Sequence, residues 1–359
     1  MSAITFGKTL SLKQATNLIL AVPENVHCLV GEPGIGKSSV LGTLEAAGYM
    51  TAYIDVPNMD LGDIAMPIVN KETKQTEYAP SARFRLQEAA KAGKRVAIML
   101  DEFSKGAQPV QNMLHPLLEA HNPRLGDIPL PKGSIVFLTG NLSTDSVGDS
   151  LKAHTLNRIV RVHVRKPNAE EWLEWAANTD KGIDPIVMAW VHQYPHAMAS
   201  YLDDGQDNNL YIFNPRKPMT SYVSGRSLER ASNTMKKRDM LDNEQLLSSL
   251  IGTIGEAAAR DMQAFVEYQD KLPKWADIIA NPDKAPVPDG AGATSVLVFG
   301  AVQRVDKQTI DPFMQYLSRL EAEWQACFVV NMGRSVQKQE VAFKSKAFAD
   351  WVRVNEDIL

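Results

Sequence analysis

Cysteine is almost missing from this 359-residue chain: Cys28 and Cys327 are the two, far apart in sequence. That excludes a disulfide framework and fits a reducing compartment. Zinc-type spacing is missing as well, with no Cys pair at ligand distance and no His-Glu-x-x-His among seven histidines. No apolar run approaches the length of a membrane span. The opening MSAITFGKTLSLKQ lacks the apolar core of a signal peptide, so a cytoplasmic location is expected. An excess of positive charge is lacking too. Lys plus Arg number 38 against 42 Asp plus Glu, a net −4, which argues against a wholly basic nucleic-acid binder. The short run Lys236-Lys237-Arg238 reads as a solvated helix end. No Ser-His-Asp or Cys-His arrangement has supporting context, and Asp203-Asp204 with Asp207 lacks the calcium-loop pattern. With 44% hydrophobic residues the chain can bury a sizeable core, and its length suggests about two to three domains.

What is present is concentrated at Gly31 to Ser38, GEPGIGKS, directly after the apolar run Val26-His27-Cys28-Leu29-Val30. This is Gly-x-x-x-x-Gly-Lys-Ser between a short buried strand and a helix-capable stretch, Ser39 to Ala47. Gly31, Gly34 and Gly36 let the backbone turn tightly and bring its N–H groups to an anion. The helix start adds unpaired N–H groups and a positive dipole end. Lys37 can reach the β- and γ-phosphates, and the Ser38 hydroxyl can ligate Mg²⁺. The stretch Gly31, Glu32, Pro33, Gly34, Ile35, Gly36, Lys37, Ser38 and Ser39 is therefore the candidate nucleotide-binding loop, joined by Asp101 below.

A second apolar run, Val96 to Leu100, ends in Asp101-Glu102. Two acids at the end of a buried strand need a reason, because unpaired buried charge is costly. Downstream of a phosphate loop they read as the Walker B pair: Asp101 for Mg²⁺ and Glu102 to orient and polarise the attacking water. A third strand, Ser134 to Gly140, carries Asn141 at its tip, where parallel sheets bind ligands. Taken alone, Asn141 would read as a turn residue.

The order of phosphate loop, Asp-Glu strand, strand-tip Asn, Asn157-Arg158 and Ser224-Gly225-Arg226 resembles the AAA+ ATPases, and among them the MoxR-like branch. LVGEPGIGKSS is similar to that branch's phosphate loop, and IMLDEFSKGAQPVQNMLHPLLEAH to its Asp-Glu-x-x-(Arg/Lys)-Ala segment with the following helix. The resemblance implies that Asn141 is sensor 1, that Arg158 in LKAHTLNRIVRVHV is the arginine finger, and that Arg226 in SGRSLERA is the sensor 2 arginine. Asn157 stands where the family has Asp, Ile159 where it has Phe, Gly225 where it has Pro, and Thr-Gly-Asn where it has Ala-Thr-x-Asn-Pro. The two arginines are thus placed by order and spacing.

The fold implied is a P-loop α/β parallel-sheet core with a C-terminal α-helical lid and a helical extension: residues 1–165, 166–272 and 273–359. The resemblance also implies an ATPase using ATP and Mg²⁺, a homo-oligomeric ring, in this family a hexamer, and a remodelled protein client, often a von Willebrand A-domain protein. A nucleic-acid motor (a helicase or restriction-type translocase) and an ATP-gated scaffold are the alternatives. Glu102 weighs against the scaffold, since binding alone does not need that carboxylate.

Along the chain, residues 11–22 read as a capped amphipathic helix and 52–56 as a strand. Residues 58–80 read as loop, and 107–121 as a helix with Val110, Leu114, Leu117 and Leu118 on one face. Residues 122–132 read as a tight hairpin or loop; the resemblance implies an inserted hairpin near this point that faces the ring pore, with Arg124 and Leu125 as candidate pore residues. Residues 273–294 read as a linker and 306–355 as helical.

Overall fold

The structure, a computed structural model, describes residues 8–142, 151–217 and 221–356. The first seven residues of the N-terminal segment read above lie outside them. The chain divides into two compact units, Met1–Lys166 and Pro167–Leu359.

In the first unit, Ser11 starts the helix Leu12–Ala21 through a reciprocal capping box with Gln14. Strands follow in the order β1 (Val26–Val30), β2 (Met50–Asp55), β3 (Ala65–Val69), β4 (Thr76–Pro80), β5 (Val96–Asp101), β6 (Arg124–Leu125), β7 (Ile128–Pro129), β8 (Ile135–Gly140) and β9 (Ile159–His163). Five of them form one parallel sheet in the order β2-β5-β8-β1-β9. β1 and β8 are buried along their whole length, as a central parallel strand covered on both faces must be, hence their continuous apolar sequence. β1 lies between β8 and β9, so the chain leaves it towards one edge and returns on its other side. Such a switch in strand order opens a crevice at the carboxyl ends. Gly31 N–H donates to Gly140 O at 3.4 Å across that crevice.

Two hairpins depart from the sheet. Residues 58–80, expected as loop, contain the antiparallel pair β3–β4. Its Met66, Ile68, Val69 and Tyr78 are exposed. No alternation betrays it because both faces of β3 are apolar and open. β6–β7 is the hairpin expected near 122–132, and its turn docks on β4: Asp127 N–H donates to Tyr78 O at 3.2 Å, and Tyr78 N–H to Asp127 Oδ2 at 2.7 Å. Leu125 is fully buried, so it is not presented as an expected pore residue would be, while Arg124, partly exposed, pairs with Glu119 at 3.1 Å.

The second unit is helical. One buried cluster gathers Trp172, Trp190, Leu228, Leu250 and Phe265, and a second gathers Phe313, Tyr316, Trp324 and Phe328. The helix Ala291–Arg304, whose start falls inside the expected linker, is buried from Ala293 to Val302 and contributes Val296 and Phe299 to the first cluster and Leu297 and Val298 to the second. Burial pushes the thiols of Cys28 and Cys327 up to about 12, so both are inert packing groups.

Two glycines in the first unit make opposite demands. A Cβ at Gly31 would stand 2.5 Å from Val164 O and 2.7 Å from Ile35 Cδ1, and the backbone oxygen cannot move aside. A Cβ at Gly42, on the exposed side of the helix Val40–Ala46, meets nothing within 4 Å. Gly31→Ala is therefore expected to destabilise by about 1–3 kcal/mol through overpacking. Gly42→Ala should stabilise by roughly 0.5–1 kcal/mol. Chemical-denaturation midpoints of the two variants, moving in opposite directions, check the pair.

Candidate functional site

The phosphate loop spans the end of β1 and a 3₁₀ turn, Lys37–Ser39, that runs into the helix Val40–Ala46. Gly34 (φ +77°) and Gly36 (φ +94°) take the left-handed turns that only glycine makes without strain. Gly31 serves differently, by letting the loop press on Val164. Ile35 turns its side chain into the core with Val40 and Leu44, so its share in any binding is through the backbone. Glu32 is buried, and the hydroxyl-bearing Ser38 and Ser39 are exposed.

Lys37 Nζ donates to Gly31 O (2.8 Å), Glu32 O (2.9 Å) and Asn141 Oδ1 (3.2 Å). The strand-tip Asn is thus tied directly to the loop lysine. Its other end, Nδ2, donates to Glu102 Oε1 at 3.0 Å. Both ends of the amide are engaged, so Asn141 does more than turn the chain. Glu102 Oε2 in turn accepts from Lys105 Nζ at 2.8 Å.

Asp101 closes β5 and Glu102 leaves it in a left-handed conformation, φ +48° and ψ +41°, rare for a residue with a Cβ. A backbone of this kind costs on the order of 1–3 kcal/mol and persists where surroundings impose it. Here Glu102 N–H donates to the buried Thr139 hydroxyl at 3.1 Å, and that hydroxyl donates to Asp101 Oδ1. Tyr53 on β2 donates its hydroxyl to Asp101 Oδ2 at 2.6 Å. Sequence reasoning missed Tyr53, Thr139 and Lys105. Lys105 was visible as the basic position of the Asp-Glu-x-x-Lys segment. The other two depend on strand register: Asp55 opposite Asp101, and Leu100 opposite Leu138.

The structure brings Lys37, Asp101, Glu102 and Asn141 together with the loop, and does not bring Arg158 there. Arg158 precedes β9, whose Ile159 pairs with Val26 at the start of β1, whereas the loop begins after Val30 at its end. The length of β1, about 16 Å at ~3.3 Å per residue, separates them. Arg158 is exposed, donates to His154 O at 2.9 Å, and lines an open groove with Glu24, Glu119, His121, Asn157 and Val160. Arg226 belongs to the second unit. It is exposed in the first turn of the helix Gly225–Met235, whose N-cap Ser224 forms a capping box with Ser227. A cation there opposes the helix dipole, so helix stability does not account for it.

Ser38 and Asp101 offer a hydroxyl and a carboxylate, the hard oxygen donors that suit Mg²⁺ when substrate phosphates and water complete its shell. The donor chemistry fits that ion.

The helix after Glu102, Gln108–Leu114, continues into a 3₁₀ turn whose His115 Nε2 lies 2.9 Å from Thr155 Oγ1 in the helix carrying the Arg158 segment. The rings of His115 and His154 are 4.7 Å apart. Burial, then the charges of His154 and Arg158, hold the pKa of His115 below 6.5. With the folded value below the unfolded one, the unfolded state binds more protons between the two. His115's contribution is therefore complete above about 6.5 and lost as pH falls through the lowered value. Histidine NMR should show His115 titrating below 6.5. His115→Gln should remove part of the acid-side fall in melting temperature, while His27, His163 and His192, lowered likewise by burial, keep the rest.

Among known proteins, residues 27–127 match the AAA domain (dynein-related subfamily). No curated protein matches the chain. A protein of Cytophaga hutchinsonii described as a "putative ATPase" aligns at 16% identity over 69% of this chain and 82% of its own, with a TM-score of 0.30. NtrX of Brucella abortus, in complex with ADP, aligns at 12% identity over 96% and 67%, with a TM-score of 0.37. Such scores are too low to bear on the fold, which rests on strand order and the loop. Strand order and phosphate loop describe a P-loop α/β core that is similar over residues 27–127 to the AAA domain of the dynein-related subfamily.

Proposed function

We propose that this chain is a Mg²⁺-ATP-hydrolysing remodelling motor of the MoxR-like kind, acting as a hexameric ring on a protein client. The observation that carries the hydrolytic part is the continuous chain Lys37–Asn141–Glu102, which places a carboxylate on the same hydrogen-bond network as the phosphate-loop lysine. A pure binding module has no use for that acid.

On this reading Lys37 exchanges its carbonyl contacts for β- and γ-phosphate oxygens. Ser38 and Asp101 hold Mg²⁺, which when bound neutralises phosphate charge. Asn141 and Glu102 align the attacking water, and Glu102 receives its proton. Arg226 reads the γ-phosphate from the helical unit. Arg158 serves the site of a neighbouring subunit, a role supported by its exposure and its distance from its own loop. Such a finger contributes roughly 10³–10⁵ in rate, about 4–7 kcal/mol of barrier. Hydrolysis then requires assembly. The client is a protein, with a von Willebrand A-domain protein as the first to try.

Glu102→Gln is expected to bind ATP but turn it over about 10²–10⁴-fold more slowly, and its mass in solution should grow to a hexamer on adding ATP·Mg²⁺. Lys37→Ala should lose nucleotide binding. Arg158→Ala should assemble without hydrolysing, and mixing it with Lys37→Ala should restore partial activity through mixed interfaces. No rescue from two assembling variants would remove Arg158 from the mechanism. Strong stimulation by DNA or RNA would favour a nucleic-acid motor instead.

A further inference from the structure

The two acids at the end of β5 are held by chemically different partners. Glu102 accepts from an amide, Asn141, and from an ammonium, Lys105. Asp101 accepts from two hydroxyls, Tyr53 on Oδ2 and Thr139 on Oδ1. A hydroxyl fixes a carboxylate's orientation without cancelling its charge, whereas an ammonium or guanidinium does both and competes with any cation the acid is to hold. Each carboxylate oxygen keeps a further lone pair after one such bond.

We propose that Tyr53 and Thr139 are positioning residues for the Mg²⁺ of the nucleotide site. They clamp Asp101 from the flanking strands β2 and β8 while leaving its full negative charge available. The inference rests on the Mg²⁺-ATP reading above and adds two residues to it. The geometry is built, not incidental. Thr139 is 1% exposed, and its one hydroxyl serves both acids, accepting from Glu102 N–H as it donates to Asp101. Tyr53 is 52% exposed, so core packing does not dictate a tyrosine there, yet its hydroxyl makes a 2.6 Å bond to the carboxylate. Partners of this kind, one step removed from the ion, commonly alter metal affinity by about 10–100-fold when removed.

The test is Mg²⁺-dependent binding of a fluorescent ATP analogue, read by anisotropy as Mg²⁺ is titrated, with no turnover required. Tyr53→Phe keeps the ring and removes only the hydroxyl. Its binding without Mg²⁺ should equal that of the unaltered protein, and its half-saturating Mg²⁺ should rise about tenfold. Thr139→Val should shift the same midpoint, and Thr139→Ser should restore it, which a packing role would not produce. In Asp101→Asn, adding Tyr53→Phe should cause no further shift, because the clamped group has gone. An unchanged Mg²⁺ midpoint in Tyr53→Phe, or an additive shift in the double variant, overturns the proposal while leaving the ATPase reading intact. Failure of the unaltered protein to bind the analogue with Mg²⁺ overturns both.

Discussion

Two carbonyls of its own loop and the side-chain oxygen of Asn141 converge on the Lys37 ammonium. A half-buried ammonium must be surrounded by oxygen. The ends of β1 and β8 supply that oxygen, so the lysine joins the two strands at the one place where the sheet's order switches. From there the network runs outward, through Asn141 to Glu102 and on to Lys105. Hydrogen bonds to a charged group contribute about 1.5–3 kcal/mol each. The six non-helical residues Gly31 to Gly36 hold their shape through these bonds, the buried Ile35 and the Gly31–Gly140 backbone bond.

The parts of this arrangement that lie close together along the chain were legible in sequence. Gly31 to Ser38 sits between a strand and a helix, Asp101-Glu102 ends a strand, and Asn141 follows one; each carries its context with it. Tyr53 and Thr139 were not legible, because nothing in their own neighbourhoods marks them. Their roles arise from which strand lies beside which, and in what register. The same holds for Ala291–Arg304. A helix buried nearly all round shows no 3.6-residue alternation, and its Pro- and Gly-rich approach from residue 282 imitates a linker. Leu125 misled in the opposite way. The family resemblance suggested a pore-facing hairpin residue, but this one is buried, while the neighbouring β3–β4 hairpin bears the exposed apolar side chains.

The sheet also separates two kinds of position. The residues proposed to act on a nucleotide gather at the carboxyl ends of the parallel strands, and Arg158 stands at the amino end beside an open groove. The segment between Glu102 and Arg158 is not structurally idle. Gln111 caps the loop carbonyls of Ser104 and Gly106 just after the acids, and one turn further on His115 reaches Thr155 beside the arginine.

The left-handed backbone of Glu102 has a consequence for inheritance. Glycine or asparagine occupies that conformation with less strain than glutamate does, so variants that discard the acid relieve backbone strain while giving up its bonds to Asn141 and Lys105. Quality control in a cell, which removes chains that fold poorly, would pass such variants untouched. On the hydrolytic reading proposed above, retention of glutamate at this position rests chiefly on its carboxylate. A lineage released from that work would be expected to shed the acid first while keeping its fold.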